Sequence, residues 1–390
     1  MTSNFPPALS RRGFLAGGAA AGAALSLHPA WADTHRAFTL RAAPGRARLA
    51  PEPWGQSDVW CYGGIVPGPE IRVRQGDRLR IAVENALNEE TTVHWHGLRV
   101  PNAMDGVPHL TQAPIAPGET FTSEFDAFDA GTFWYHPHQR SFEQVGRGLY
   151  GALIIEEADP PRVDRELVWV LDDWRLTQEA AISDDFGGFH DMSHAAPQVI
   201  ALDGQPVTPH TPQDPRGWVV IGPAMRVDLM LDMTGAPGET MTITDRFFSD
   251  QNFGVVDLAY AETPLRDAPP DWDMALAPNP LPEPDIARAR RHEVTFTGGM
   301  MGGMVEREMG IASQESMMGG GMMGRMHDGS IWFVNGVAAE GHILDPMLTL
   351  ERDASHVIAM TNATAFHHPI HLHGHSFRVI SRNGAPTAHG

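Results

Sequence analysis

The sequence predicts an all-β protein built from several β-sandwich domains. Short stretches such as Ile71–Arg74 and Leu79–Val83 alternate apolar and polar residues with a period of two, which is typical of strands with one buried face. The 390 residues include 40 glycines and 32 prolines, a composition that favours short strands joined by turns over long helices. A chain of this length is expected to form two or three domains.

Residues 1–32 are predicted to be an export signal rather than part of the fold. Arg11 and Arg12 precede a run of Ala, Gly and Leu that is too short and too weakly apolar to span a membrane comfortably. The Ala-Trp-Ala sequence at Ala30–Ala32 is typical of a signal-peptidase site. We therefore expect export by the twin-arginine pathway, cleavage after Ala32 and a periplasmic location.

Residues 33–158 are expected to form the first domain. A turn at Gln75–Asp77 is predicted to join two of its strands as a hairpin. The continuous apolar run Leu149–Ile155 predicts a strand that is buried on both faces. Cys61 is the single cysteine and lies in an apolar stretch, so no intrachain disulfide can form and a buried free thiol is expected.

Residues 159–291 are predicted to form a second domain, which follows a stiff break at Asp159–Pro161. The first strand of this domain is expected at Glu166–Trp174. The domain holds no His-x-His sequence, so we interpret it as a spacer without copper that holds the outer two domains in register. Residues 292–390 are predicted to form a third domain that is incomplete at its C-terminus, with a late strand at Phe377–Ile380.

A methionine-rich insertion is predicted in the third domain at residues 299–326. It holds nine of the 19 methionines, diluted with glycine, so it cannot build a dense core. One interpretation is a flexible low-complexity loop. The other, compatible with it, is a collector of Cu(I), which prefers thioether sulfur. The transient ligands would then include Met304, Met309, Met317 and Met322.

The formal charge of −20 argues against partners that carry dense negative charge. Nucleic acid or an anionic membrane surface would be repelled, whereas cations would be attracted. Solubility alone explains an acidic surface equally well. We expect no nucleic-acid partner, no membrane association after signal cleavage, and a monomer.

The candidate metal-binding residues fall in three short motifs, at His94–Gly97, His136–His138 and His368–His375, and each contains His-x-His. In a strand, side chains two residues apart point to one face, about 6.6 Å apart along the chain. Such a pair can share one ion or reach two neighbouring ions, and neutral imidazole suits zinc, copper, iron and nickel. A lone His-x-His is commonly only a polar strand face, but three instances indicate a metal centre built from distant segments.

These motifs resemble the copper motifs of multicopper oxidases of the laccase and cuprous-oxidase kind. His94–Gly97 (His-Trp-His-Gly), Trp134–His138 (Trp-Tyr-His-Pro-His) and His368–His373 (His-Pro-Ile-His-Leu-His) look like that family's first three motifs, in order. The likeness runs from about Trp60 to the last residue. It implies three cupredoxin-like Greek-key β-sandwich domains, with type 1, type 2 and binuclear type 3 copper centres as cofactors.

The resemblance assigns a role to seven histidines. His368 would bind the mononuclear type 1 copper, and His94 and His371 would hold the lone type 2 copper. The binuclear type 3 pair would take the remaining four: His96, His136, His138 and His373.

Four further residues near the motifs are harder to assign. Asp105 lies in a turn after the first motif, where it is either a turn-forming residue or, as in similar oxidases, an acid that helps to move protons to the oxygen site. His367, His375 and His389 match no ligand position and are expected to lie on the surface or beside the ligands.

The family's fourth motif, His-Cys-His with a further histidine and usually a methionine, does not occur among the 390 residues. Either the chain is a fragment of a longer protein, or the tail was lost and the protein has another function. A sandwich that stops partway would expose unpaired strand edges, so we expect the fragment, which would be inactive by itself. The full protein would couple the oxidation of Cu(I), or of other metal or phenolic donors, to the reduction of O₂ to water, in copper tolerance. The alternatives are a laccase-like phenol oxidase and a non-catalytic periplasmic copper-binding protein or scaffold. A two-domain copper nitrite reductase lacks these motif pairings.

Overall fold

In the structure of the chain, a computed structural model, the regular secondary structure of the described residues is almost wholly β-strand, and the all-β prediction is confirmed. It describes residues 35–172, 174, 176–177, 179–182, 193–195, 198–210, 218–231, 236–246, 252–263, 266, 275–299, 309, 332–338 and 345–387. The predicted export signal lies outside these residues. Within them, no helix has the length and apolar character needed to cross a membrane.

Residues 35–156 form two sheets of four strands each. The strands are β1 (His35–Ala47), β2 (Ser57–Tyr62), β3 (Ile71–Arg74), β4 (Arg78–Asn85), β5 (His94–His96), β6 (Thr120–Asp126), β7 (Gly131–His136) and β8 (Gly151–Glu156), with a 3-10 turn at Asn102–Met104 and a short helix at Ser141–Gln144. One sheet has the order β2-β1-β4-β6 and the other β3-β8-β7-β5. The neighbours β1–β4 and β3–β8 are parallel, so the chain crosses between sheets as Greek-key sandwiches do.

The alternation of apolar and polar residues produces the core between these sheets. Along β4, Leu79, Ile81 and Val83 are buried while the residues between them are partly exposed. In the facing sheet, β8 is buried along almost its whole length, as its continuous apolar run predicts. Trp95, at the centre of β5, has no exposed surface. Since burial of a large apolar side chain contributes about 1.5–3 kcal/mol, this core fixes the strands that carry the histidine motifs.

The turn at Gln75–Asp77 is present, but the predicted hairpin is wrong. β3 pairs with β8, whereas β4 pairs with β1 and β6, so the turn leads from one sheet to the other. The Asp77 carboxylate stabilises this turn by accepting hydrogen bonds from the backbone N–H of Arg74 at 3.0 Å and from Arg36 Nε at 3.1 Å. The period of two indicates which face of a strand is buried, but the partner strand is set by packing at longer range.

Smaller sheets form in the middle region, which we define as residues 159–291. Its strands are β9 (Ser193–Ala195), β10 (Gln198–Leu202), β11 (Gln205–His210), β12 (Val219–Ile221), β13 (Val227–Met230), β14 (Thr240–Asp245) and β15 (Phe253–Ala259). They pair in the orders β11-β10-β13, β12-β9 and β14-β15. The strand predicted at Glu166–Trp174 is wrong for the part of it that the structure describes, because that segment pairs with no described strand and most of its side chains are exposed.

The last region is organised around β16 (Arg290–Gly298), which runs parallel to β19 (His356–Asn362). β17 (Trp332–Val334) and β18 (Val337–Ala338) complete a sheet of order β18-β17-β16-β19, and β20 (Ser381–Arg382) pairs with β21 (Ala385–Pro386). The strand predicted at Phe377–Ile380 is wrong, since no described strand lies beside it. The domain boundaries after residues 158 and 291 stay predictions.

Candidate metal centre

Two neighbouring strands bring the first two histidine motifs together. β5 is the His-Trp-His sequence itself, and it pairs antiparallel with the end of β7 so that His94 lies opposite His136. Alternation along β5 turns Trp95 into the core and both of its histidines to the other face. Gly97 then turns the chain with a φ of +86°, a left-handed conformation that glycine adopts without strain.

The third motif reaches the cluster from a loop rather than from a strand. His371–Gly374 follow β19 without regular secondary structure, apart from a turn at His373 and Gly374. The expectation that strand alternation aligns the two histidines of this pair is therefore wrong. The loop nevertheless brings His371 to His94, which is 277 residues away along the chain. The alignment of His371 and His373 therefore comes from packing of the last region against the first sandwich, and not from a strand.

Two of the histidine pairs are joined by short distances between ring nitrogens. The Nε2 atoms of His94 and His371 lie 3.1 Å apart. His96 Nδ1 lies 3.3 Å from His136 Nε2. Because His136 Nδ1 donates a hydrogen bond to the carbonyl oxygen of Pro137 at 3.0 Å, its Nε2 lone pair is the one that faces His96.

His138 and His373 form a third pair, with 4.7 Å between their ring centroids. Two triplets of histidines are compact enough to surround one ion each, since all their candidate ligand atoms lie within 4.8 Å of one another. These triplets are His94, His138 and His373, and His94, His96 and His371. Because His94 belongs to both, these five histidines form one continuous cluster, which His136 joins through its pair with His96 and which can hold more than one ion.

Asp105 connects the first motif to the third. Its backbone carbonyl oxygen accepts a hydrogen bond from His94 Nδ1 at 2.8 Å, and its carboxylate Oδ2 accepts one from His373 Nδ1 at 3.0 Å. Burial would raise the pKa of this carboxyl group, but the hydrogen bonds from His373 and His94 outweigh burial and lower the pKa below its usual range. Since both histidines donate through Nδ1, each presents a bare Nε2 to the cluster.

Five histidines of the cluster are held in their neutral form. Burial, followed by the charges of neighbouring histidines, lowers the pKa of His138 to about 4 and that of His371 to about 3. Burial also lowers the pKa of His94, His96 and His136. At neutral pH these five residues therefore offer uncharged imidazole nitrogens with available lone pairs.

The facing nitrogens fit a metal ion. The Nδ1 hydrogen of His94 is donated to Asp105, so its Nε2 lone pair points at His371 Nε2 across 3.1 Å. Two lone pairs at this distance repel each other unless a proton or a metal ion lies between them. An all-imidazole donor set suits copper and zinc, and Cu(II) leads the affinity order of the divalent ions.

His368 lies outside these pairs, in a half-buried aromatic pocket. Its Nε2 is 2.8 Å from Thr364 Oγ1. Its ring stacks on Phe296 with 5.6 Å between centroids and meets the edge of Trp332 at 5.0 Å. Burial lowers the pKa of His368, so it too is neutral at neutral pH. Six of the seven histidines singled out in the sequence are thus brought together, and the seventh is held separately.

The remaining candidates lie away from the cluster or outside the described residues. His367 and His375 are exposed, and His389 lies outside the described residues. Met309 is 45% exposed. The other three candidate methionines also lie outside the described residues: Met304, Met317 and Met322.

Sequence reasoning assigned no role to two residues beside the cluster. Trp134 stacks on His136 with 4.0 Å between ring centroids, and the Trp-Tyr pair directly before the second motif was an available signal for it. Arg226 of the middle region packs against Gly97, where a Cβ would lie 3.1 Å from its Cζ. This contact joins distant parts of the chain, so no local pattern indicated it.

Comparison with known proteins points to a single family. Two sequence profiles, both described as multicopper oxidase, match residues 46–160 and 315–389. Copper resistance protein A of Escherichia coli is 45% identical over 113 residues, which are 28% of this chain and 18% of that protein. This match therefore spans less than a fifth of the relative. Multicopper oxidase MmcO of Mycobacterium tuberculosis is 28% identical, with 97% of this chain and 88% of that protein covered.

Solved structures give the same result. The crystal structure of a multi-copper oxidase from Pseudomonas thermotolerans is 32% identical, with a TM-score of 0.61 over 68% of this chain and 73% of that one. The two profile matches contain all three histidine motifs, so the likeness extends to the residues that form the cluster.

Proposed function

This chain belongs to the multicopper oxidase family and takes copper as its cofactor, and from that premise we propose that it oxidises Cu(I) and reduces dioxygen to water, in copper tolerance. The observation that carries the proposal is the 3.1 Å approach of His94 Nε2 to His371 Nε2, which unites ligands from both ends of the chain. Dioxygen reduction needs several metal ions close together, and the surrounding neutral imidazoles fit that requirement.

The proposed ligand roles follow the pairs of histidines in the cluster. His94 and His371 would hold the type 2 copper, and His368, in its aromatic pocket, would be a ligand of the type 1 copper. The type 3 pair would be held by His96 with His136 and by His138 with His373. Bound copper supplies one-electron redox chemistry, and several ions together deliver the four electrons that dioxygen takes up.

Asp105 is proposed to orient two ligands and to handle protons. Its hydrogen bonds to His94 and His373 fix the tautomer of both rings, so that Nε2 of each faces the metal site. Its Oδ1 atom is buried and lies 3.2 Å from His94 Nδ1. Because the pKa of this carboxyl group lies below its usual range, it would hold a proton only briefly and release it readily when dioxygen is reduced.

A histidine substitution tests the copper assignment. His371→Ala removes a cluster ligand, whereas His375→Ala removes an exposed histidine two residues beyond the pair. In protein expressed from the whole gene and loaded with copper, His371→Ala should lose bound copper and Cu(I)-dependent dioxygen uptake, and His375→Ala should retain both. Wild-type protein that binds copper but takes up no dioxygen with any reductant would instead be a sequestering protein or a scaffold.

Cu(I) as the donor is supported by the methionine-rich segment, because thioether sulfur prefers Cu(I). Met309 is 45% exposed and so accessible to a substrate ion. Deleting residues 299–326 should abolish dioxygen uptake with Cu(I) and spare or increase uptake with a phenol such as 2,6-dimethoxyphenol. Unchanged turnover of Cu(I) would remove this segment from the mechanism, and efficient phenol oxidation by the wild type would favour the laccase-like alternative.

Export to the periplasm by the twin-arginine pathway completes the proposal. It is supported by Arg11 and Arg12 ahead of the short apolar run and by the Ala-Trp-Ala sequence. Replacing both arginines with lysine should leave the protein in the cytoplasmic fraction with its signal uncleaved. Periplasmic accumulation of that double variant would exclude this route.

A further inference from the structure

The middle region is fastened to β7, the strand that leads into the second histidine motif. At the tip of the hairpin between β10 and β11, the carbonyl oxygen of Gly204 comes so close to Gly131 that a Cβ there would lie 2.8 Å away. Asn279 bridges the same contact. Its Nδ2 donates to the carbonyl oxygens of Ala130 and Gly204, both at 3.0 Å, and its Oδ1 accepts from the Ala130 N–H at 2.8 Å. Residues of the middle region are therefore held at a fixed position relative to β5 and β7.

Arg226, just before β13, extends from this contact to the first motif. Its side chain is only 10% exposed. Nε donates to the carbonyl oxygen of Thr132 at 3.2 Å, and Nη2 donates to that of Asp203 at 2.8 Å. The guanidinium packs against Gly97, directly after His96, where a Cβ would lie 3.1 Å from Cζ. Backbone carbonyls on two sides thus hold a buried cation beside a proposed copper ligand.

Two carboxylates act on the charge of Arg226, those of Asp203 and of the half-buried Asp228, whose pKa burial raises to about 6. Asp203 Oδ1 lies 3.2 Å from Nη1, but the Asp203 side chain is 47% exposed, so solvent screens this pair. The guanidinium contacts Gly97, which directly follows His96, and the His96 ring stacks on His371 with 3.8 Å between centroids, so the positive charge lies beside the cluster. A cation at this place disfavours a more highly charged metal ion bound to these two rings.

We propose that Arg226 tunes the copper centre from the middle region. Its fixed positive charge disfavours Cu(II) more than Cu(I), because the oxidised ion carries the larger charge. It thereby shifts relative affinity towards Cu(I) and raises the reduction potential of copper bound by His96 and His371. The middle region then has an electrostatic role where the sequence indicated only a spacer. This inference rests on the proposed assignment of these two histidines as copper ligands.

The test is a comparison of Cu(I) and Cu(II) affinities, measured by competition with chelators. Arg226→Gln removes the charge and keeps a hydrogen-bonding side chain, so the ratio of Cu(II) to Cu(I) affinity should rise about ten-fold, or about 59 mV for a one-electron couple. Arg226→Lys keeps the charge, and its ratio should change less than about two-fold. An unchanged ratio in Arg226→Gln would overturn the proposal.

Two further variants separate charge from docking. Asn279→Ala loosens the contact of the middle region with β7 without changing any charge, so the ratio of Cu(II) to Cu(I) affinity should stay at the wild-type value. A shift equal to that of Arg226→Gln would show that the effect comes from loss of this contact and not of charge, and would overturn the proposal. Asp203→Asn removes one of the two negative charges that act on Arg226 and should move the ratio the opposite way, in favour of Cu(I). Asparagine tolerates the φ of +52° at that position, so this variant gives a result even if Arg226→Gln does not fold.

Copper binding by the wild-type protein distinguishes failure of the proposed ligand assignment from failure of the proposed role of Arg226. If the wild-type protein binds no copper, the ligand assignment fails and the role of Arg226 fails with it. If the wild type binds copper while Arg226→Gln and Asp203→Asn leave the affinity ratio unchanged, only the role of Arg226 is rejected.

Discussion

Gly106→Ala tests whether the turn after the first motif keeps the metal cluster in place. Gly106 follows Asp105 and has a φ of +78°. A Cβ there would overlap the carbonyl group of Val93 and lie 2.7 Å from the backbone nitrogen of His94. Alanine therefore meets backbone strain of about 1–2 kcal/mol and, in addition, forces Asp105 away from β5.

The displacement of Asp105 accounts for the larger part of the expected loss. Its carboxylate bond to His373 is worth about 1.5–3 kcal/mol, and its carbonyl bond to His94 about 0.5–1.5 kcal/mol. With the backbone strain included, Gly106→Ala should lower the free energy of unfolding by about 3–6.5 kcal/mol. Copper affinity should fall as well, because both rings lose the partner that orients them.

Gly118→Ala is the matched control. Gly118 has a similar φ of +82°, and a Cβ there would have no atom within 4 Å. This variant should show only the strain of about 1–2 kcal/mol and bind copper as the wild type does. Urea unfolding followed by tryptophan fluorescence and Cu(II) competition titrations measure the two quantities. Equal losses of unfolding free energy in the two variants would refute the reasoning.

Two further predictions concern the charges of the cluster. Asp105→Asn removes the carboxylate beside His373 and should weaken Cu(II) binding about 10–100-fold in competition titrations, whereas Asp126→Asn, on the partly exposed face of β6, should have no effect. In the metal-free protein, His138 and His371 have pKa values of about 4 and about 3, below the value of about 6.5 in an unfolded chain. The unfolded state therefore binds more protons, and the free energy of unfolding should fall as the pH drops from about 6.5 towards 3. Urea titrations across this window measure the effect, and a constant unfolding free energy would contradict it.

Short-range regularity explains what the sequence predicts well. The alternation in β4 and the apolar run in β8 follow from the geometry of single strands, and both bury the expected residues. The three histidine motifs indicate a common centre because three such pairs are unlikely to serve only as polar strand faces. The structure brings six of those histidines together, which agrees with that expectation.

Long-range packing explains what the sequence does not predict. The turn at Gln75–Asp77 has the residues of a hairpin, yet each flanking strand pairs in a different sheet. His371 and His373 lie in a loop, so their alignment comes from the surroundings and not from strand alternation. The contact of Arg226 with the first motif depends on how the middle region docks, and no local pattern carries that information.

The separation of 277 residues between His94 and His371 bears on when the protein can acquire its metal. During synthesis the first two motifs leave the ribosome long before the third, and a newly made N-terminal half offers only part of the coordination sphere. In the proposed assignment, copper bound by both residues would act as a late crosslink over a very long loop, and it would stabilise only the finished fold. Metal content would then record which molecules have completed folding.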